Sequence, residues 1–131
     1  MKRNIRVFVT VGIVGLLANG VLAWQLNAAD SKEDPIKEVM KKYHKAPKGT
    51  DPICKKAQDG LASKEELKGL VEGYKILAKE KAPKGDAASW KEKTTKLLAA
   101  SEALQKGAPD AAAQYKEAVN CKACHTAHKP D

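Results

Sequence analysis

The chain has few large apolar side chains. From residue 30 onward Phe is absent, and Leu, Ile and Val together number 13 of 102 residues. Only four aromatics lie in that window: Tyr43, Tyr74, Trp90 and Tyr115. Arg is missing there too, because the only two arginines of the chain are Arg3 and Arg6. Each absence excludes something. Large aliphatics below roughly 20% do not fill an ordinary core and by themselves predict disorder. There is no basic block with interleaved aromatics, the footprint of a nucleic-acid binder, so no nucleic-acid partner is expected. No stretch alternates apolar and polar residues over a useful length, so no sheet is expected. No nucleophilic triad or carboxylate pair stands out, and the chain is not read as an enzyme.

The N-terminus differs from the rest. Lys2, Arg3 and Arg6 precede an apolar run from Val7 to Trp24. A charged start followed by an apolar stretch is the pattern of an export signal. Val21-Leu22-Ala23 and Asn27-Ala28-Ala29 both offer small-residue cleavage sites. The run also reaches the lower limit of a membrane span, so residues 7–24 are the candidate tether if cleavage does not occur. Residues 1–29 are therefore read as signal or anchor, and residues 30–131 as one domain placed in the periplasm or otherwise exported. That domain carries 21 Lys against 16 Asp plus Glu. The charges are interspersed, which describes a solvated surface and also suits electrostatic steering toward acidic partner proteins.

Helical punctuation is regular in this domain. Asp34-Pro35 is an N-cap followed by Pro at the first helical position, and Ile36, Val39, Met40 and Tyr43 follow at helical spacing, predicting a helix over about 35–45. Asp51-Pro52 repeats the start signal, Gly60 gives a stop, and a short helix over 52–59 carries Ile53 and Cys54. Ser63 and Glu66 form a capping box, and an apolar face from Leu67 to Ala78 predicts a helix over about 64–80. Gly69 and Gly73 lie four apart on it and offer another helix a close approach. Lys81-Ala82-Pro83-Lys84-Gly85 repeats Lys45-Ala46-Pro47-Lys48-Gly49. Both read as linkers ending in an N-cap Asp. A helix over about 87–106 then turns Trp90, Thr94, Leu97, Leu98, Ser101 and Leu104 inward. Gly107 stops it. The last helix starts at Pro109 and runs to about 127, with Ala111, Ala118, Cys121, Cys124, His125 and His128 on one side. The expected fold is all-α, an antiparallel four-helix bundle.

That last helix contains Cys121-Lys122-Ala123-Cys124-His125. Two cysteines two residues apart, followed at once by His, make the attachment signature of c-type haem. Two thiols one helical turn apart bond the two vinyl groups of one haem, and the adjacent His supplies an imidazole nitrogen to iron. A structural zinc site would need a second Cys or His pair. A dithiol of the thioredoxin kind would sit near a βαβ pattern. Neither accompaniment is present. A domain too small to fill its own core recruits something else, and a covalent haem c would complete this one. The haem-free chain is accordingly expected to be unfolded or molten.

A haem motif in the last helix of a four-helix pattern resembles class II cytochrome c, the cytochrome c-prime family. The likeness covers residues 35–130, and its specific part is the haem motif. Family members carry an aromatic residue three positions after the haem His and a basic residue at four. This chain has His128 and Lys129 there, so the basic position matches and the aromatic one does not. The resemblance implies Cys121 and Cys124 as tethers, His125 as the proximal iron ligand, and a first helix facing the distal side. It also implies redox partner proteins and a possible homodimer.

Members of that family with a distal Met carry electrons. Members with an apolar distal residue leave iron five-coordinate and bind nitric oxide or carbon monoxide. Here the first helix offers Met40, set among Ile36, Val39 and Tyr43, as the expected distal ligand. His44, nearer the helix end, is the runner-up and reads otherwise as a surface histidine. An open site covered by Met40 or Tyr43 is the third reading. His128 is read as a non-ligand near the propionates or solvent. Cys54, the odd cysteine, reads as a small buried residue beside Ile53, with an intermolecular disulfide or a redox thiol as the alternatives.

Overall fold

A computed structural model describes residues 33–131. The expected export signal or anchor at residues 1–29 lies outside them. The described residues form six helices and no strands: α1 (Pro35–Tyr43), α2 (Ile53–Gln58), α3 (Lys64–Lys79), α4 (Ala87–Gln105), α5 (Ala111–Ala118) and α6 (Cys121–His128). None is long and apolar enough to cross a membrane.

Local chemistry sets the helix ends. The Asp34 carboxylate accepts from the Ile36 amide at 2.9 Å and opens α1. Ser63 and Glu66 close their capping box reciprocally, at 3.1 and 2.8 Å, and open α3. Asp86 accepts from the Ser89 amide at 2.7 Å and opens α4. Asp51 does not play the matching part. The residue before α2 is Pro52, and no side chain caps that helix. The C-termini of α2 and α4 end alike. The amide of Leu61 reaches the Lys56 carbonyl at 2.8 Å, and that of Ala108 reaches Ala103 at 3.0 Å. Each wraps the chain back past a glycine in the Schellman manner.

Two expected boundaries move. The chain does not enter a helix at Pro109, because Asp110 takes a left-handed φ of 58° and α5 starts only at Ala111. The expected single last helix is also broken. Val119 leaves helical geometry, and Asn120 caps a new helix by accepting from the Ala123 amide at 3.0 Å. A short amide side chain that can satisfy an orphan N–H competes with helix continuation. The consequence is that Cys121 begins α6 and no longer lies mid-helix.

The interior is built mainly between α3, α4 and α5, with α1 against α3 and α2 bridging α3 and α5. Leu70, Tyr74, Leu77 and Tyr115 are almost fully enclosed. The Tyr74 and Tyr115 hydroxyls meet at 2.9 Å, so neither buried oxygen is left unpaired. Burial pushes both phenols up from their usual pKa. The paired glycines of α3 have a definite occupant. The Tyr43 ring of α1 lies on them, and a Cβ on Gly73 would come within 2.6 Å of it. Tyr43 is thus fixed against α3 and is not one of the residues facing the cavity described below. Trp90 donates its indole N–H to the Glu80 carbonyl at 2.9 Å and ties the start of α4 to the end of α3. Thr94 and Ser101 are buried as expected, but Leu97, Leu98 and Leu104 are only partly covered, and Ala100 is buried in their place.

Candidate functional site

One large cavity, about 890 Å3, opens between the end of α1, α2, the inner face of α4 and the α5–α6 segment. That is toward the upper end of the roughly 300–1,000 Å3 typical of small-molecule and cofactor sites. Its apolar wall includes Leu77, Trp90, Leu97, Ala100, Ala118 and Val119. The small residues among these create the space, since an Ala on a packed face leaves room that a Leu would occupy. Lys55, Lys93 and Lys96 stand among the polar groups that also line it.

The motif residues come together here. Cys121, Cys124 and His125 all line this cavity, and so do Met40 and His44 across it. Cys121 is exposed, with its Sγ 3.6 Å from the Val119 carbonyl. Cys124 is half-buried, and burial pushes its thiol up while nearby Lys93 opposes this. The break at Asn120 is what aims them. It lets α6 start at the cavity mouth with its own direction, carrying two thiols one turn apart and His125 directly after. Among the described residues no three His, Cys, Asp or Glu side chains gather as a metal-ion cage.

His44 departs from the surface reading. It is the C-cap of α1, with its backbone N–H on the Met40 carbonyl. Its ring lies against Tyr74, with centroids 5.6 Å apart. Its Nε2 is buried and has no hydrogen-bond partner among the described residues. Burial, and secondarily the charge of His125, pull its pKa down to about 4. At neutral pH the ring is therefore uncharged and carries one nitrogen lone pair. Met40 also lines the cavity, but its side chain packs against the buried core cluster.

His128 does not share the cavity face of α6 and is neither solvated nor beside the cavity. It is 1% exposed. Its Nδ1 lies 2.9 Å from the Lys84 carbonyl, so that nitrogen donates, and its Nε2 lies 3.2 Å from the Ser89 hydroxyl. Its ring meets Trp90 edge-on. It serves as an anchor that holds α6 to the α3–α4 turn. Cys54 is buried, as the simple reading has it, and burial raises its thiol pKa, with Cys121 as a second cause. A buried, protonated thiol is a poor partner for an intermolecular disulfide. It also lines the cavity, which its sequence neighbours give no hint of.

A haem fits these residues. The cavity has the volume, the thiols and His125 share its wall, and His44, which carries an unpaired ring nitrogen, lines it from the end of α1. Comparison with known protein families, curated proteins and solved structures finds no match.

Proposed function

We propose that this chain is an exported monohaem c-type cytochrome that carries single electrons and is not an enzyme. The observation that carries the reading is the convergence of Cys121, Cys124 and His125 on one haem-sized cavity in a domain otherwise short of core-filling side chains. In this reading the antiparallel four-helix bundle of the cytochrome c-prime kind is formed by α1, α3, α4 and the α5–α6 segment. The short α2 and the break at Asn120 fall outside that four-helix pattern.

The cofactor, when bound, supplies a one-electron ferric–ferrous couple. The protein's part is to hold it. Cys121 and Cys124 fix the ring covalently, and His125 presents an imidazole from α6. Leu77, Leu97 and Val119 would supply apolar wall against the ring. Lys93 and Lys96, on the cavity lining, would offer cations to the carboxylates of the ring. The interspersed lysines of the outer surface steer acidic redox partners. Burial in a rigid helical frame keeps the ligands in place in both oxidation states, so little rearranges on transfer.

Purified protein from its native host, or coexpressed with a haem-attachment system, tests the reading. The expected mass is that of the processed chain plus one haem, with a reversible one-electron titration. Colourless protein with both motif thiols free overturns it. Ready binding of carbon monoxide by the reduced protein would instead mark the second function considered, a nitric oxide or carbon monoxide binder with an open site. The imidazole of His44, a half-buried residue lining the same cavity as His125, favours electron transfer over that alternative.

A further inference from the structure

We propose that His44, rather than Met40, is the second axial ligand of the haem iron, opposite His125. This rests on the haem reading above and deepens it. The inference starts from an unmet need. A buried nitrogen without a hydrogen-bond partner costs about 1–3 kcal/mol, and in a native fold such a group calls for an explanation, an absent ion among them. His44 Nε2 is such an atom, the only buried side-chain nitrogen or oxygen among the described residues in this condition. The Tyr74 and Tyr115 hydroxyls, the Trp90 indole and His128 in the same interior are all paired.

Its surroundings say what is missing. His44 and His125 line the same cavity from different helices, α1 and α6. The His44 ring is held against Tyr74, and its backbone is held by the Met40 carbonyl. An iron held between these two residues would give Nε2 the partner it lacks. Met40 has no comparable need. A thioether packed on apolar neighbours is already satisfied, and Met40 packs against the core cluster. Tyr43, the other residue of α1 named as a cover for the iron, is committed to Gly69 and Gly73.

Two nitrogen ligands differ from a nitrogen–thioether pair in ways that do not depend on electron-transfer activity. A Met ligand raises the reduction potential and gives ferric haem a charge-transfer absorption that paired imidazoles lack. The test is absorption and electron paramagnetic resonance of the ferric full-length holoprotein and its variants. Wild type is expected to be low-spin without the thioether band. Met40→Leu is expected to leave that spectrum unchanged. His44→Ala is expected to turn the iron high-spin, to open it to carbon monoxide when reduced, and to recover the low-spin spectrum on addition of imidazole. His44→Met is expected to raise the midpoint potential. If His44→Ala does not accumulate, the wild-type band and Met40→Leu still decide. A thioether band in wild type, a high-spin wild type, or loss of the low-spin spectrum in Met40→Leu overturns the assignment while leaving the haem reading intact. Protein with no covalent haem mass overturns the haem reading itself, and the assignment with it.

Discussion

The same five residues, Lys-Ala-Pro-Lys-Gly, occur at 45–49 and at 81–85, and the fold uses them differently. Both glycines take positive φ, 88° at Gly49 and 78° at Gly85. Around Gly49 nothing approaches within 4 Å of where a Cβ would be. At Gly85 that Cβ would lie 2.4 Å from the Ala127 carbonyl of α6. The Lys84 carbonyl next to it receives the His128 ring. The first copy is a turn between α1 and α2. The second is also a turn, but it doubles as the seat on which the motif-bearing helix rests. Local sequence dictates the turn in both places, and only the chain arriving from residue 128 makes one of them a joint.

The sharpest way to break this contrast is to add one methyl group at each site. Gly85→Ala must pay left-handed strain of about 1–2 kcal/mol and overpacking of about 1–3 kcal/mol against backbone that cannot swing aside. The expected loss in denaturant unfolding of the holoprotein is therefore about 2–5 kcal/mol. Gly49→Ala carries the strain alone, about 1–2 kcal/mol. Equal losses at the two sites would mean that α6 does not rest on the second linker.

The anchor itself is the next target. His128→Ala leaves the Lys84 carbonyl and the Ser89 hydroxyl without their partner and opens space beside Trp90. Losing two part-buried hydrogen bonds at about 0.5–1.5 kcal/mol each is read as a lower unfolding midpoint. His128→Phe restores an aromatic, as cytochrome c-prime proteins have at this distance from the haem His, but cannot donate to Lys84. It is expected to recover the packing and not the hydrogen bond, and so to fall between wild type and His128→Ala.

How much of this was legible beforehand follows a physical line. The helices announced by caps and apolar faces appear where expected: Asp34-Pro35, the Ser63–Glu66 box and Asp86 each open one. The motif residues were legible because their spacing is itself the signal, and all three reach one cavity. Three features were not legible. Asn120 sits in an otherwise continuous helical pattern, and its capping role shows only once the chain turns there, although Asn directly before the motif was a usable signal. His128 follows His125 by three residues, a spacing that places both on one face of an undisturbed long helix. Its true partners, Lys84 and Ser89, are some forty residues away, and no periodicity reports them. His44 sits beside lysines and reads as surface. Its burial comes from Tyr74 and the cavity wall, contacts that exist only after α1 has docked on α3.

The smallest expected effect concerns the acidic residues that follow the two linkers. Both copies are succeeded by an Asp before a helix, Asp51 and Asp86, so sequence gives them the same capping role. Only Asp86 performs it, through the Ser89 amide at 2.7 Å; α2 begins after Pro52 with no side-chain cap. Asp86→Ala removes the acceptor for an orphan amide at the start of α4, worth about 0.5–2 kcal/mol. Asp51→Ala removes nothing of that kind and is expected to fall within about 0.5 kcal/mol of wild type, as surface substitutions away from caps do. Asp86→Asn separates two contributions, because Asn caps as well as Asp but carries no charge toward the helix dipole. Near-complete recovery by Asn would assign the loss to the hydrogen bond, whereas recovery of less than half would assign it to charge at the N-terminus. The Ser89 amide that Asp86 holds belongs to the residue whose hydroxyl meets His128. A loosened first turn of α4 should therefore couple to the anchor. Asp86→Ala and His128→Ala combined are expected to cost less than the sum of their separate losses, a non-additivity that two sites with no shared partner would not show.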